Sequence, residues 1–173
     1  MIGICQECVS GDCENGFGIQ TFEGQRYVGE FYKGEFEGLG RLIWGRTETN
    51  EGRYPDGTWK YYEYIGDWKN GKRNGSGKIQ YIFSGWTGNS SYVFNDLIWS
   101  YTGEFTNDKR NGIGVRQFYN KEETIFQVGY WANDKLIKTI SDSTETAVQI
   151  ETKMNELHIE WKIIFENHLQ SKK

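Results

Sequence analysis

Proline is almost missing from this chain: Pro55 stands alone among 173 residues, beside 22 glycines. Low-complexity disorder brings glycine and proline together with few aromatics. Here aromatics make up 16% of the residues, so the glycines are set by turns and close packing rather than by flexibility. Long apolar runs are missing too. No stretch approaches the roughly 20 residues of a membrane-spanning helix, and the mean hydropathy is −0.73. The opening MIGICQECVSGDC lacks the basic and apolar regions of a secretory leader, which gives the expectation of a cytoplasmic protein. An excess of positive charge is the third absence. The net charge is −4 with both signs mixed along the chain, so the basic stripe of a nucleic-acid binder is not there. The densest basic stretch, with Lys69, Lys72 and Arg73, reads as a hairpin tip.

The chain is equally short of catalytic and metal-binding groupings. Its two histidines, His158 and His168, lie ten residues apart near the end, too far to share a metal. Its three cysteines, Cys5, Cys8 and Cys13, lie in the first thirteen residues. Cys5-x-x-Cys8 is half of a zinc motif without the other two ligands; free thiols, or a bridge between Cys8 and Cys13, are the plainer readings. No nucleophile and base stand at motif spacing. Gly38-Leu39-Gly40, Gly75-Ser76-Gly77 and Gly112-Ile113-Gly114 lack the following helix of a dinucleotide fingerprint, and their recurrence assigns them to architecture. The expectation is a non-enzyme with no cofactor and no metal.

What the sequence does have is repetition. Residues 64–78 read YIGDWKNGKRNGSGK. Tyr64, Gly66 and Trp68 alternate with Ile65 and Asp67 as in a strand; Asn70-Gly71 is the pair best suited to a two-residue hairpin turn; and Lys72 begins a returning arm with Gly75 and Gly77. Counted from the tyrosine as position 1, the template has Gly at 3, an aromatic at 5, and Gly at 12 and 14. Tyr27, Gly29, Phe31, Gly38 and Gly40 repeat it, as do Tyr101, Gly103, Phe105, Gly112 and Gly114. Gly16-Phe17-Gly18 supplies only the closing glycines, and Gly129, Trp131, Asp134 and Lys135 only the opening half.

These motifs resemble the MORN-repeat family, whose units follow Tyr-x-Gly-x-(Trp/Phe)-x-x-Gly-Lys-x-x-Gly-x-Gly. The tyrosines are 37 residues apart, against a family unit of roughly 23, so each interval carries about 14 extra residues. The resemblance implies a mainly β fold, an elongated antiparallel meander of hairpins. It also implies a non-catalytic scaffold or adaptor role, of the kind found in cytoskeletal, ciliary and membrane-junction assemblies.

The array is expected over 1–140, with copies near 5–22, 27–44, 64–81, 101–118 and 127–140. The rings of Tyr27, Phe31, Tyr64, Trp68, Tyr101 and Phe105 are expected to stack along one face, each partly covering a glycine of the neighbouring unit. The first interval reads as a lengthened hairpin, with 42–45 pairing against 59–62; the second, around Gly85 to Ser90, reads the same way. Trp59, Tyr61, Trp86 and Trp99 on these arms are candidates for a partner surface, with mutual packing as the plainer alternative.

Over 141–173 glycine and proline vanish. Ala147, Ile150, Met154, Leu157, Trp161 and Ile164 recur in steps of three and four, which predicts an amphipathic helix. It either lies across the sheet or presents Leu157, Trp161 and Ile164 to a protein partner or a second copy. Two other functions compete with a protein-binding scaffold. Anionic lipid could meet Lys69, Lys72, Arg73, Lys109 and Arg110 at the hairpin tips, and carbohydrate could meet the exposed tryptophan and tyrosine rings.

Overall fold

In the computed structural model the described residues are 7–45, 59–86, 93–119 and 124–141, together with Gln149 and Thr152; at 59, 83–86, 93–98, 119 and 141 the backbone alone is described. They form one antiparallel sheet in which ten strands lie in chain order. The strands are β1 (Glu7–Gly11), β2 (Phe17–Phe22), β3 (Gln25–Tyr32), β4 (Glu35–Gly45) and β5 (Trp59–Lys69). They continue through β6 (Lys72–Trp86), β7 (Val93–Thr106), β8 (Lys109–Tyr119), β9 (Thr124–Ala132) and β10 (Lys135–Ser141). Ser141 ends β10 rather than opening the helix expected over 141–173; of the rest only Gln149 and Thr152, both helical, are described, and the candidate partner residues Leu157, Trp161 and Ile164 lie outside the described residues.

The tips turn where the residue pairs foresee it. Asn70 and Gly71 both take positive φ, 49° and 70°, and Lys33-Gly34, Asn107-Asp108 and Asn133-Asp134 repeat that conformation. Such turns carry the same twist as the strands they join. At the N-terminal end Cys8 and Cys13 are joined as a disulfide. Between them and β2, the Asp12 carboxylate accepts the backbone N–H groups of Asn15 and Glu14, and these bonds hold its pKa below the ordinary carboxylate value.

In every full copy one irregularity follows the paired glycines. Gly66 sits opposite Gly77, yet Trp68 sits opposite Arg73, so two extra residues bulge from the returning strand. The same offset separates Gly29/Gly40 from Glu30/Glu37 and Gly103/Gly114 from Phe105/Arg110. Gly38, Gly75 and Gly112 occupy the bulge with φ of 58°, 111° and 90°, a region that a side chain rarely tolerates. The acid at position 4 closes it: Asp67 accepts the Ser76 N–H at 2.8 Å and Glu104 accepts the Ile113 N–H at 3.4 Å.

The first lengthened hairpin pairs differently from expectation. Leu42, Ile43, Trp44 and Gly45 face Tyr64, Glu63, Tyr62 and Tyr61, two residues beyond the expected partners at 59–62. The register is fixed by Gly40 docking on Gly66. The second interval extends β6 to Trp86, which pairs with Val93 of β7.

Candidate functional site

The two faces of the sheet differ. The aromatic face carries the main core: Tyr27, Tyr64 and Tyr101 are fully buried, with Phe31, Trp68, Phe105, Trp131 and Cys13 buried around them. The rings do not stack as expected. Tyr27 meets Trp68 at 5.5 Å and 89°, Trp68 meets Tyr64 at 5.1 Å and 88°, Tyr64 meets Phe105 at 5.2 Å and 84°, and Tyr101 meets Phe105 and Trp131 in the same way. Edge-to-face contact sets the positive rim of one ring on the negative face of the next, and it runs unbroken from copy to copy.

Nor do the tyrosines cover a neighbouring unit's glycines. Each lies over the glycine pair of its own hairpin: a Cβ on Gly40, Gly77 or Gly114 would come within 2.1, 2.3 or 2.2 Å of the hydroxyl of Tyr27, Tyr64 or Tyr101. Those hydroxyls donate to the backbone carbonyls of Glu30, Asp67 and Glu104. Burial raises the pKa of all three phenols, so they remain neutral donors. The glycine of a neighbouring unit is reached instead by the position-5 tryptophan. Trp68 Nε1 donates to the Gly40 carbonyl at 3.2 Å and Trp131 Nε1 to the Gly114 carbonyl at 3.3 Å.

Position 10 closes each joint between copies. In the first copy it is Phe36, stacked on Tyr27 at 3.7 Å and set edge-on to Trp68 of the next copy at 5.3 Å. In the second it is Arg73, whose guanidinium lies 5.7 Å from the Tyr64 ring and 5.5 Å from Phe105. In the third it is Arg110, over Tyr101 at 5.5 Å and Trp131 at 4.6 Å. Each arginine also grips the next turn. Arg73 Nε and its backbone N–H donate to the Asp108 carboxylate at 3.2 and 3.0 Å, and Arg110 does the same to Asp134 at 3.1 and 3.0 Å. Partial burial of Asp134 pushes its pKa up, but the Arg110 hydrogen bonds and the charges of Arg110 and Arg73 outweigh that and hold it below the ordinary value. These two arginines, expected among the lipid contacts, are thus half-buried and paired, whereas Lys69, Lys72 and Lys109 are exposed.

Beyond the core rings, toward the far ends of the long strands, lies a second aromatic row. Trp44, Tyr62, Tyr81, Trp99 and Phe118 are successive register partners on β4 to β8, and all five are half-buried. Trp44 stacks on Tyr62 at 5.4 Å and Tyr62 on Tyr81 at 4.6 Å. The Arg116 guanidinium lies 5.1 Å from the Phe118 ring. Between this row and the tips opens a cleft of about 370 Å³ lined by Ile79, Trp99, Phe105, Arg116 and the two arginine–aspartate pairs.

Of the residues expected at a partner surface, Trp99 belongs to this row. Tyr61 lies on the opposite face beside Glu63, which raises its pKa together with burial, the larger cause. The side chains of Trp59 and Trp86 lie outside the described residues. Trp44, Tyr62, Tyr81 and Phe118 escaped the sequence reading, because they line up only once the register is known. Among the described residues no group of three or more Cys, His, Asp or Glu is placed to hold a metal.

The profile of the MORN repeat matches residues 27–46, 64–82 and 101–122, which are the three hairpins whose glycine pairs and rings are described above. Comparison with curated proteins returned no match.

Proposed function

Because the chain is a MORN-repeat protein, we propose that it is a non-catalytic scaffold that binds a protein partner along the aromatic row of its sheet. One observation carries this reading. The core rings at positions 1 and 5 already hold the copies together, so the row from Trp44 to Phe118 is built on strand extensions that the repeat itself does not need, and it remains half-open. Aromatic rings flanked by a cation are the composition of interface anchors. Arg116 at the row's edge and the arginine–aspartate pairs across the cleft favour a partner segment with apolar side chains and an acidic one. A sugar is less well served, because the flat ring faces are turned against one another. We place the protein in the cytoplasm, at a cytoskeletal or membrane-associated assembly.

The test is affinity capture with the full chain and with a Trp99→Ser/Tyr81→Ser variant whose thermal melting is confirmed to be cooperative. Partners held by the parent and lost by the variant support the reading. An unchanged set of partners refutes it.

A second reading has one observation in its favour. At every joint the turn N–H of one copy donates to a carbonyl at the tip of the copy before it: Gly34 to Glu14, Gly71 to Phe36, Asp108 to Arg73 and Asp134 to Arg110. The tips therefore share one edge, and Lys33, Lys69, Lys72, Lys109 and Lys135 are exposed on it. Each basic residue near an anionic membrane contributes about 1 kcal/mol, so five aligned lysines could bind phosphatidylserine vesicles at low salt. Sedimentation with such vesicles, lost in a variant with all five changed to Gln, is the expected result; no sedimentation by the parent removes the reading.

A further inference from the structure

At the N-terminal edge of the sheet stands a strand that its own side chains do little to hold. In β1, Glu7, Cys8, Val9 and Gly11 are exposed and Ser10 is half-buried, and the one sheet neighbour of this strand is β2. A strand with almost no buried side chains depends on its ladder and on whatever clips it down. Here the clip is the bridge from exposed Cys8 to Cys13. Cys13 is on the anchored side: it is buried in the aromatic core, and the turn it stands in is fastened without the bridge. The N–H groups of Phe31 and Gly34 donate to the carbonyls of Gly16 and Glu14, and the Lys33 N–H donates to Asn15 Oδ1. Between the two cysteines Gly11 has a φ of 85°, so the joint between β1 and this turn is a residue free to change its backbone angles.

We propose that Cys8 is a site of thiol–disulfide exchange, at which a dithiol opens the bridge, frees β1 and bares the outer edge of β2. A bridge between residues five apart constrains the unfolded chain far less than one that closes a long loop, so its effect falls on β1 rather than on the whole sheet. Both cysteines line an open recess of about 520 Å³, together with Asp12, Glu14, Gln20 and Gly34, which admits a reductant. One thiolate of the dithiol attacks Cys8 Sγ, the exposed sulfur; the S–S bond breaks, and Cys13 leaves as a thiolate that takes up a proton. The second thiol of the reductant attacks the mixed disulfide, releasing Cys8 as a thiol and the reductant as its disulfide, so two electrons and two protons pass to the protein. The buried thiol then has a partner. The Ile19 carbonyl oxygen lies 3.5 Å from Cys13 Sγ and accepts the S–H that the bridged sulfur lacks. Cys13 is thus satisfied in the open state, while Cys8 goes into solvent with β1. The carboxylates of Asp12 and Glu14 at the recess repel an anionic thiol such as glutathione, so the class of reductant that fits is an uncharged dithiol. Once β1 is free, the backbone groups of Gly18, Ile19, Gln20 and Thr21 that it paired with stand open, and such an edge is what an extended segment of a partner adds to.

The test uses the full chain with Cys5→Ser, which removes the third thiol, and reads backbone amide exchange before and after treatment with dithiothreitol. The expected result is exchange about tenfold faster or more in β1 and in the β2 amides that face it, with β4 to β9 unchanged. Adding Cys8→Ser should give the same pattern with no reductant present, and dithiothreitol should open the bridge faster than glutathione at equal thiolate concentration. Protection of β1 that survives reduction, or that survives Cys8→Ser, overturns the proposal. Exchange that accelerates through β4 to β9 as much as in β1 also overturns it, since the bridge would then be a staple for the whole sheet. Equal rates with the two reductants would overturn the assigned class of dithiol.

Discussion

Two kinds of joint hold the copies together, and they occupy the same place with opposite physics. Between the first and second copies Phe36 lies on Tyr27 and against Trp68, and the turn it meets is Asn70-Gly71. Between later copies an arginine lies over the equivalent rings and reaches an aspartate that replaces the turn glycine. The substitutions are coupled: where position 10 is arginine, position 8 of the following turn is aspartate, and where it is phenylalanine the following turn keeps glycine. What the template requires at position 10 is therefore a flat group over two rings. Hydrophobic burial or a cation over the ring faces both satisfy it.

The largest separation between the two joints should come from truncation. Phe36→Ala leaves a gap between Tyr27, Phe31 and Trp68 and is expected to cost about 3 kcal/mol, read from chemical denaturation and insensitive to salt. Arg110→Ala removes a half-exposed side chain and should cost about 1 to 2 kcal/mol, because the stem and ring contact are lost together with the ion pair. Raising salt from low to 1 M should shrink the difference between parent and Arg110→Ala. Equal salt responses for the two variants would dissolve the distinction.

A smaller effect isolates the ion pair. In a double-mutant cycle of Arg110→Ala with Asp134→Ala the coupling should be about 0.5 to 1 kcal/mol, the range for partly exposed pairs. Its pH dependence has a definite sign. The folded-state pKa of Asp134 is lowered, so the contribution is fully present above the ordinary carboxylate range. It is lost as pH falls through the folded-state value, below about 4. Asp134→Asn should lose that contribution near neutral pH and flatten the stability curve in the acid window, so that parent and variant converge once Asp134 is protonated. An unaltered acid limb would show that other carboxylates carry it.

This comparison also shows where the sequence is legible and where it is not. The turns at Asn70-Gly71 and Asn107-Asp108 and the positions of Tyr64, Gly66 and Trp68 follow from residue type and spacing, because each needs only its own strand and turn. The pairing of 42–45 slipped by two residues for a physical reason. Side chains alternate with period two, so a shift of two keeps every residue on its face and leaves the hydrophobic pattern unchanged. Only the close approach of Gly40 and Gly66 fixes the register, and only the register brings Trp44, Tyr62, Tyr81, Trp99 and Phe118 into line. In the sequence Arg73 and Arg110 have the place of tip charges, because they follow a turn. Their inward placement depends on rings 9 residues before them and on an aspartate in the next hairpin, contacts that no local pattern contains.

The finest test converts one joint into the other. Gly71 has positive φ and open space where a Cβ would be, so Gly71→Asp is sterically possible and carries only the backbone cost of a left-handed aspartate, about 1 kcal/mol or less. Beside Phe36 the new carboxylate has no cation to accept from, and the single change should be mildly destabilising. Phe36→Arg alone should cost more, since it exchanges a stacked ring for a cation with no aspartate to anchor it. Together they rebuild the Arg73–Asp108 arrangement, and the pair should be more stable than the sum of the singles by about 0.5 to 1 kcal/mol. Strict additivity would mean that the arginine is held by the rings alone and that the aspartates of the later turns contribute nothing to the joint.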